Sequence, residues 1–283
     1  MGHKRPVLAL LACAGLGVAV LAWAALGDDG VPPAVAEAPA ADPTMLDISG
    51  YRQTFFEGFD HLDVSAWGPD SRWIAHTPWH GDFGDATFVD PTPGFPFATS
   101  HGMLRIEARK LPDGRWQSGL ISSRDHDGVG GGGFAQKYGY FEIETKLPPG
   151  AGTWPAFWLV GVTPKPRAEI DAFEYYGNAP ASYHANVHVW ADDDRKFGDG
   201  KIVDIPKDAA TTRFNRYGVL IDHDWVTFYF NRKQVWRTPT RPEYRQPMYI
   251  LANLALGAGW PIDKVPNPSV MYVKSIAAYE GRS

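Results

Sequence analysis

The chain has 283 residues, 44% of them hydrophobic, which is enough apolar material for one sizeable core. Its formal net charge of −5 offers no basic footprint and argues against a nucleic-acid partner. Thirty glycines and 24 prolines favour many turns over long helices, whereas the 11 tryptophans decide little, because indole fills cores as readily as it stacks on sugar rings.

At the N-terminus, His3, Lys4 and Arg5 precede an apolar run from Val7 to Leu26 that no charge interrupts. Ala22-Trp23-Ala24 and Ala34-Val35-Ala36 both fit a small-x-small cleavage site, so residues 1–27 predict export to the periplasm or beyond. The run is also long enough to span a bilayer, which leaves an uncleaved inner-membrane anchor as the alternative. Leu10-Leu11-Ala12-Cys13 has a faint lipoprotein look, but the apolar run continues well past Cys13. Because Cys13 is the only cysteine, the exported part must fold without disulfides. Residues 28–48, rich in Ala and Pro up to Pro43, read as a linker, and residues 49–283 as one domain.

That domain reads as short strands between turn signals. In chain order they are Thr54–Phe59, Met103–Arg109, Tyr138–Leu147, Ala156–Val160, Glu169–Tyr175, Tyr183–Trp190, Arg216–Ile221, Trp225–Phe230, Gln234–Thr238, Met248–Leu256 and Val270–Tyr279. No long amphipathic helix separates them, and many strands with Gly/Pro turns mean a sandwich or barrel. In Tyr183–Trp190, Ala185, Val187 and Val189 alternate with His184, Asn186, His188 and Trp190, which gives one core face and one polar, aromatic face. The stretch Gly128–Gly133 lacks the Lys-Ser/Thr of a phosphate cradle and leads into a strand, so it reads as a loop. Asp192-Asp193-Asp194 reads as a solvated turn.

Glu169-Ile170-Asp171-Ala172-Phe173-Glu174 carries the chemistry: three carboxylates in six residues, spaced by apolar side chains. On a strand, Glu169 and Asp171 share a face, while Glu174, five positions from Glu169, falls on the other. One extra residue accommodated as a β-bulge would return it to the first face. Like charges crowded there raise each other's pKa. Such a cluster makes sense where one protonated and one ionised carboxyl group flank a glycosidic bond.

Around this run lie Tyr138-Gly-Tyr-Phe-Glu142, Lys146-Leu-Pro-Pro-Gly150, Trp154-Pro-Ala-Phe-Trp158 and Tyr175-Tyr-Gly177, with His188 downstream. Together they resemble glycoside hydrolase family 16, the laminarinases, lichenases and related endo-acting β-glycanases. The likeness runs from about Thr54 to Tyr279. It implies an all-β jelly roll of two curved antiparallel sheets with a substrate cleft on the concave face. It also implies a retaining mechanism, with Glu169 as nucleophile, Glu174 as general acid/base and Asp171 holding and tuning the nucleophile. Two residues between Asp171 and Glu174 match the bulged, laminarinase-type branch of the family.

For substrate binding the resemblance points to Trp154, Trp158, His188 and, less directly, Asn186 and Trp260. His188 is expected near Asp171 or a sugar. The aromatic insert Ala75–Phe97, with Trp79, His80, Phe83 and Asp85, is expected to wall one end of the cleft. Many relatives hold a structural Ca²⁺ through an Asp near the start of the last strand. Here Lys274 takes that place and supplies no oxygen ligand, so no metal and no cofactor is expected. The implied partner is a polysaccharide, a β-1,3- or mixed β-1,3/1,4-glucan or a bacterial exopolysaccharide, acted on by a monomer. A transglycosylase with the same residues, a carbohydrate-binding module and a structural secreted domain remain as alternatives.

Overall fold

The structure, a computed structural model, describes residues 42–125 and 133–281. The N-terminal apolar run, Cys13, both cleavage motifs, linker residues 28–41 and most of the glycine stretch lie outside them. Among the described residues no helix is long and apolar enough to cross a membrane. The only helical pieces there are Ala209–Thr212 and the 3₁₀ turn Pro242–Tyr244.

Each strand expected from the sequence is present, with its ends shifted by three residues at most. They form two sheets. In the first the order is Lys233–Pro239, Trp225–Phe230, Asn215–Ile221, Gly139–Lys146, Ser269–Gly281, Leu104–Lys110, Trp116–Ser118 and Ala86–Phe88, with Tyr51–Glu57 and Phe97–Thr99 paired alongside. The second runs Phe197–Asp204, Ser182–Trp190, Arg167–Glu174, Thr153–Gly161, Met248–Leu256, Leu120–Ser122, Trp73–Ile74 and Val64–Ser65, with Ala135–Gln136 beside Met248. All long strands pair antiparallel. Two short pairs, Val64–Ser65 with Trp73–Ile74 and Ala86–Phe88 with Trp116–Ser118, are parallel, a departure from the purely antiparallel expectation.

The core lies between the sheets. Phe141, Ile143, Tyr217, Val219 and Ile276 from the first meet Phe157, Leu159, Ile170, Phe173 and Ile250 from the second. Met248–Leu256 is buried along its whole length. Its Met248, Ile250, Ala252 and Leu254 join this core, while Tyr249, Leu251 and Ala255 pack on the opposite face with Ala156, Trp158 and Val160. A strand covered on both sides must read as a continuous apolar run, as this one does. In Ser182–Trp190 the alternation holds: Tyr183, Ala185, Val187 and Val189 are buried and their neighbours half-buried or exposed.

Beyond the short strands and their parallel pairs, two features depart from the sequence reading. Phe197–Asp204 is an edge strand that the sequence did not reveal, since its charged, Gly-containing and mostly exposed residues carry no alternation. The folded unit also starts upstream of residue 49. Leu46 N–H donates to Arg232 C=O at 2.8 Å, and Gln234 N–H donates to Thr44 C=O at 2.8 Å.

Candidate active site

The strand Arg167–Glu174 has the bulge that its carboxylates require. Asp171 pairs with Asn186 and Glu174 with His184, so three steps on one strand match two on the other. The other neighbour shows the same slip, Phe173 facing Phe157 and Asp171 facing Trp158. Ala172 and Phe173 consequently both turn into the core, next to Ile170. Phe173 meets the Tyr217 ring at 4.4 Å between centroids, which anchors the bulge. Glu169, Asp171 and Glu174 are left on the outer face, lining one cavity of about 440 Å³.

Aromatic side chains build the rest of that cavity. Trp154 and Trp158, four residues apart on the neighbouring strand, share the face with the carboxylates. Trp158 is 5% exposed and its Nε1–H donates to Asn253 Oδ1 at 2.8 Å, so it serves as floor more than as open platform. The insert closes one side: Trp79, Gly81, Asp82 and Phe83 all face the cavity. Phe83 lies edge-on to Trp154 and Trp158 at 5.4 and 5.8 Å, and Trp79 edge-on to Trp158 at 5.9 Å. Two contacts fix the insert. Buried Thr77 bonds both backbone groups of Gly81, and Asp85 N–H donates to Leu256 C=O at 2.9 Å. At Gly257 a Cβ would lie 2.0 Å from Asp85 Oδ2, so only glycine fits under the insert there.

Three donors converge on Glu174. Trp154 Nε1–H and Tyr176 O–H reach Oε1 at 3.0 and 3.3 Å, and Asn186 Nδ2–H reaches Oε2 at 2.6 Å. Trp154 and Tyr176 are stacked at 6.2 Å, which keeps both donors in place. Glu169, Asp171 and His188 bring one ligand-type atom each to within 4.8 Å of one another.

The electrostatics follow from this crowding. Burial pushes the Glu169 carboxyl up to about 7; Arg167 and a hydrogen bond from Trp190 pull against it, and Glu174 adds a smaller upward push. Asp171 is raised well above the usual carboxylate range, first by burial and then by Glu174 and Glu169. Its Oδ2 is buried without a hydrogen-bond partner, 3.5 Å from His188 Nε2. Burial holds His188 below its ordinary value, with Glu174 opposing, so its imidazole is biased toward the neutral form. Mutual repulsion, the cause expected from sequence, is therefore real but second to burial.

Of the residues singled out from sequence, Glu169, Asp171, Glu174, His188, Trp154, Trp158 and Trp79 meet in this one cavity. Asn186 stands beside it and holds Glu174. Trp260 is 50% exposed and lies outside the residues that line the cavity. Lys274 lies on the other sheet and pairs with Glu144 at 2.9 Å. Sequence reasoning passed over Arg167, Asn253 and Tyr176. Arg167 had a signal, since it stands two residues before Glu169. So did Asn253, the single polar side chain in Met248–Leu256.

The chain is 30% identical over 253 residues to the endo-1,3-1,4-beta-glycanase EglC of Rhizobium meliloti, and 30% identical over 258 residues to ExsH of the same organism, described in the same words. Each alignment covers 83% of this chain and 53% of the relative, so the chain spans about half the length of the curated relatives it matches. Among solved structures, the catalytic domain of an endo-1,3-beta-glucanase (laminarinase) from Thermotoga petrophila superposes with a TM-score of 0.65 at 22% identity, over 82% of this chain and 99% of that one. That likeness establishes the jelly-roll fold. Residues 102–272 match glycosyl hydrolases family 16, and the chain belongs to that family.

Proposed function

We propose that the protein is an endo-acting β-glycanase that hydrolyses internal bonds of a β-1,3- or mixed β-1,3/1,4-linked polysaccharide with retention. One observation carries this reading: a bulge turns Glu174 back onto the face of Glu169 and Asp171, in a cavity walled by tryptophan. The names of the curated relatives support the linkage class. Export, read from the N-terminal run, accompanies the proposal because a polysaccharide of this kind lies outside the cytoplasm. Recovery of the full chain only in the cytosolic fraction would remove that part.

In the mechanism, Glu169 attacks the anomeric carbon while Glu174 gives its proton to the departing glycosidic oxygen. Glu174 then takes a proton from water, which releases the glycosyl unit from Glu169. Trp154, Tyr176 and Asn186 fix the Glu174 carboxyl throughout, since each can donate to it. Asp171, biased by burial toward its protonated form, stands beside the nucleophile without adding a like charge. Arg167 and Trp190 favour the ionised form of Glu169, the form that attacks. The flat walls of Trp154 and Trp79 suit the apolar faces of a sugar chain.

Reducing-end release from laminarin and lichenan tests the activity. Glu174→Gln should lower turnover by about 10²–10⁴ through loss of acid/base catalysis. Near-normal turnover by that variant refutes its role, and inverted configuration in the first-formed product refutes Glu169 as nucleophile.

A further inference from the structure

Many arginines elsewhere in the fold meet carboxylates: Arg105 and Arg109 clasp Glu107, and Arg232 clasps Glu142. Arg167 is placed differently. It opens the carboxylate strand, two residues before Glu169 and on the same face. Its guanidinium carbon lies 4.5 Å from the Trp79 ring centre and 5.9 Å from that of Trp190. Its Nε is buried with no hydrogen-bond partner, and its side chain lines the cavity. A guanidinium packed against indoles keeps its planar fork of donors in one orientation, and that fork matches carboxylate and sulfate oxygens.

Arg167 also borders a second hollow, of about 450 Å³, whose lining shares Arg167 and Trp190 with the cavity. Lys165, Arg167, Arg195 and Lys196 line this hollow against Asp192 and Asp193, and Asp193 is held by Arg195 at 2.6 Å. A third hollow, of about 320 Å³, shares Trp79 and Arg167 with the cavity. Its described walls contain Arg124 and Arg167 and no carboxylate. On a chain of net charge −5, cations thus gather where the cleft leaves the nucleophile's side. An unsubstituted glucan offers them hydroxyl oxygens but no opposite charge.

We propose that this end of the cleft binds an anionic substituent, a carboxylate or a sulfate ester, on the sugar chain next to the point of cleavage, with Arg167 as the contacting residue. Arg124 and Lys165 supply the surrounding positive field. The inference rests on the hydrolase reading only for the statement that a sugar chain occupies the cleft. It narrows the substrate class from neutral β-glucans to acidic polysaccharides with the same backbone.

The experiment uses Glu174→Gln in the full chain, whose slowed turnover leaves binding measurable. Its affinity is measured for laminarin, carboxymethyl-laminarin and laminarin sulfate of matched length, at low and moderate salt, with and without Arg167→Gln or Arg167→Lys. At least tenfold tighter binding to one charged polymer is expected, lost in Arg167→Gln and partly kept in Arg167→Lys. Which charged polymer wins identifies the group. Equal affinity for all three, a preference that Arg167→Gln leaves intact, or failure to bind any of them overturns the proposal. Turnover of unsubstituted Glu174 protein on the same polymers separates the two readings. Turnover without charge preference sinks only the anionic subsite, and charge preference without turnover sinks only the hydrolase. If Arg167 merely tunes Glu169, its loss lowers turnover on neutral and charged polymers by the same factor.

Discussion

Glu169→Gln should make the protein more stable, and only above acidic pH. Glutamine keeps the shape of the side chain and removes its charge. In the folded chain Glu169 holds its proton up to about pH 7, against an ordinary value of 4.5. Between those values the folded state binds more protons than the unfolded state, so stability falls as pH rises through that window. At about 1.4 kcal/mol per tenfold, the full loss approaches about 3 kcal/mol near pH 8. Asp171 adds to it with the same sign, and its shift is partly caused by Glu169. His188 works the other way: its lowered pKa costs stability as pH falls, equally in both proteins, and so cancels in the comparison. Urea and thermal denaturation of the two proteins from pH 4 to pH 8 is the assay. The midpoints should coincide near pH 4 and separate as pH rises. About 3 kcal/mol corresponds to roughly 6–12 °C in a domain of this size. A gap independent of pH, or one that favours the parent protein at pH 8, refutes burial of a reluctant carboxyl as the cause.

Three further substitutions test the supporting residues. Trp154→Phe keeps a ring in the cavity but removes the N–H that reaches Glu174, so turnover should fall about tenfold, for about 1–2 kcal/mol of lost hydrogen bond. If KM alone changes, Trp154 only contacts sugar. Asn253→Ala leaves the buried Trp158 N–H without its acceptor, and urea denaturation should show a loss of roughly 1–3 kcal/mol. Adding Trp158→Phe should recover part of that loss, and strictly additive effects would show that the bond is not what matters. Deleting Ala172 removes the residue that the bulge accommodates, and regular alternation then still leaves Glu174 facing the cavity. The deletion should cost about 1–3 kcal/mol yet retain more activity than Glu174→Gln. Activity at or below that of Glu174→Gln would mean that the bulge itself sets the reacting geometry.

The sequence revealed most of this wherever a side-chain period had one buried face. Ser182–Trp190 shows its two faces by alternation, and the spacing of Glu169, Asp171 and Glu174 by itself requires a bulge. Period is silent where both faces are covered. Asn253 lies in a strand with every residue buried, so nothing in the pattern tells that it points at Trp158. Asn186, expected near sugar, instead orients Glu174, because a bulge on the neighbouring strand brings Glu174 within 2.6 Å of it. The position of Trp260 depends on the turn Gly257–Gly259, where Gly257, Ala258 and Gly259 all have positive φ, and strand periodicity says nothing about that. Tyr176 likewise reaches Glu174 from beyond the end of the strand.

The bulge links stability and chemistry at one position. It sends two consecutive side chains, Ala172 and Phe173, into the core, and the Phe173–Tyr217 contact then resists any slip of register. A slip by one residue would exchange the faces of the whole strand, driving Ile170 and Phe173 outward and Asp171 and Glu174 into the apolar layer. Burying unpaired carboxylates there costs several kcal/mol each, so the register that displays the carboxylates is also the one the core selects. Glu169 and Asp171 are nonetheless half-buried and buried on the outer face, which is why their protons are held so tightly. A strand tuned only for stability would have no reason to keep them. Local unfavourable charge, held in place by favourable packing on the reverse face of the same strand, is the pattern expected of a site kept for its chemistry.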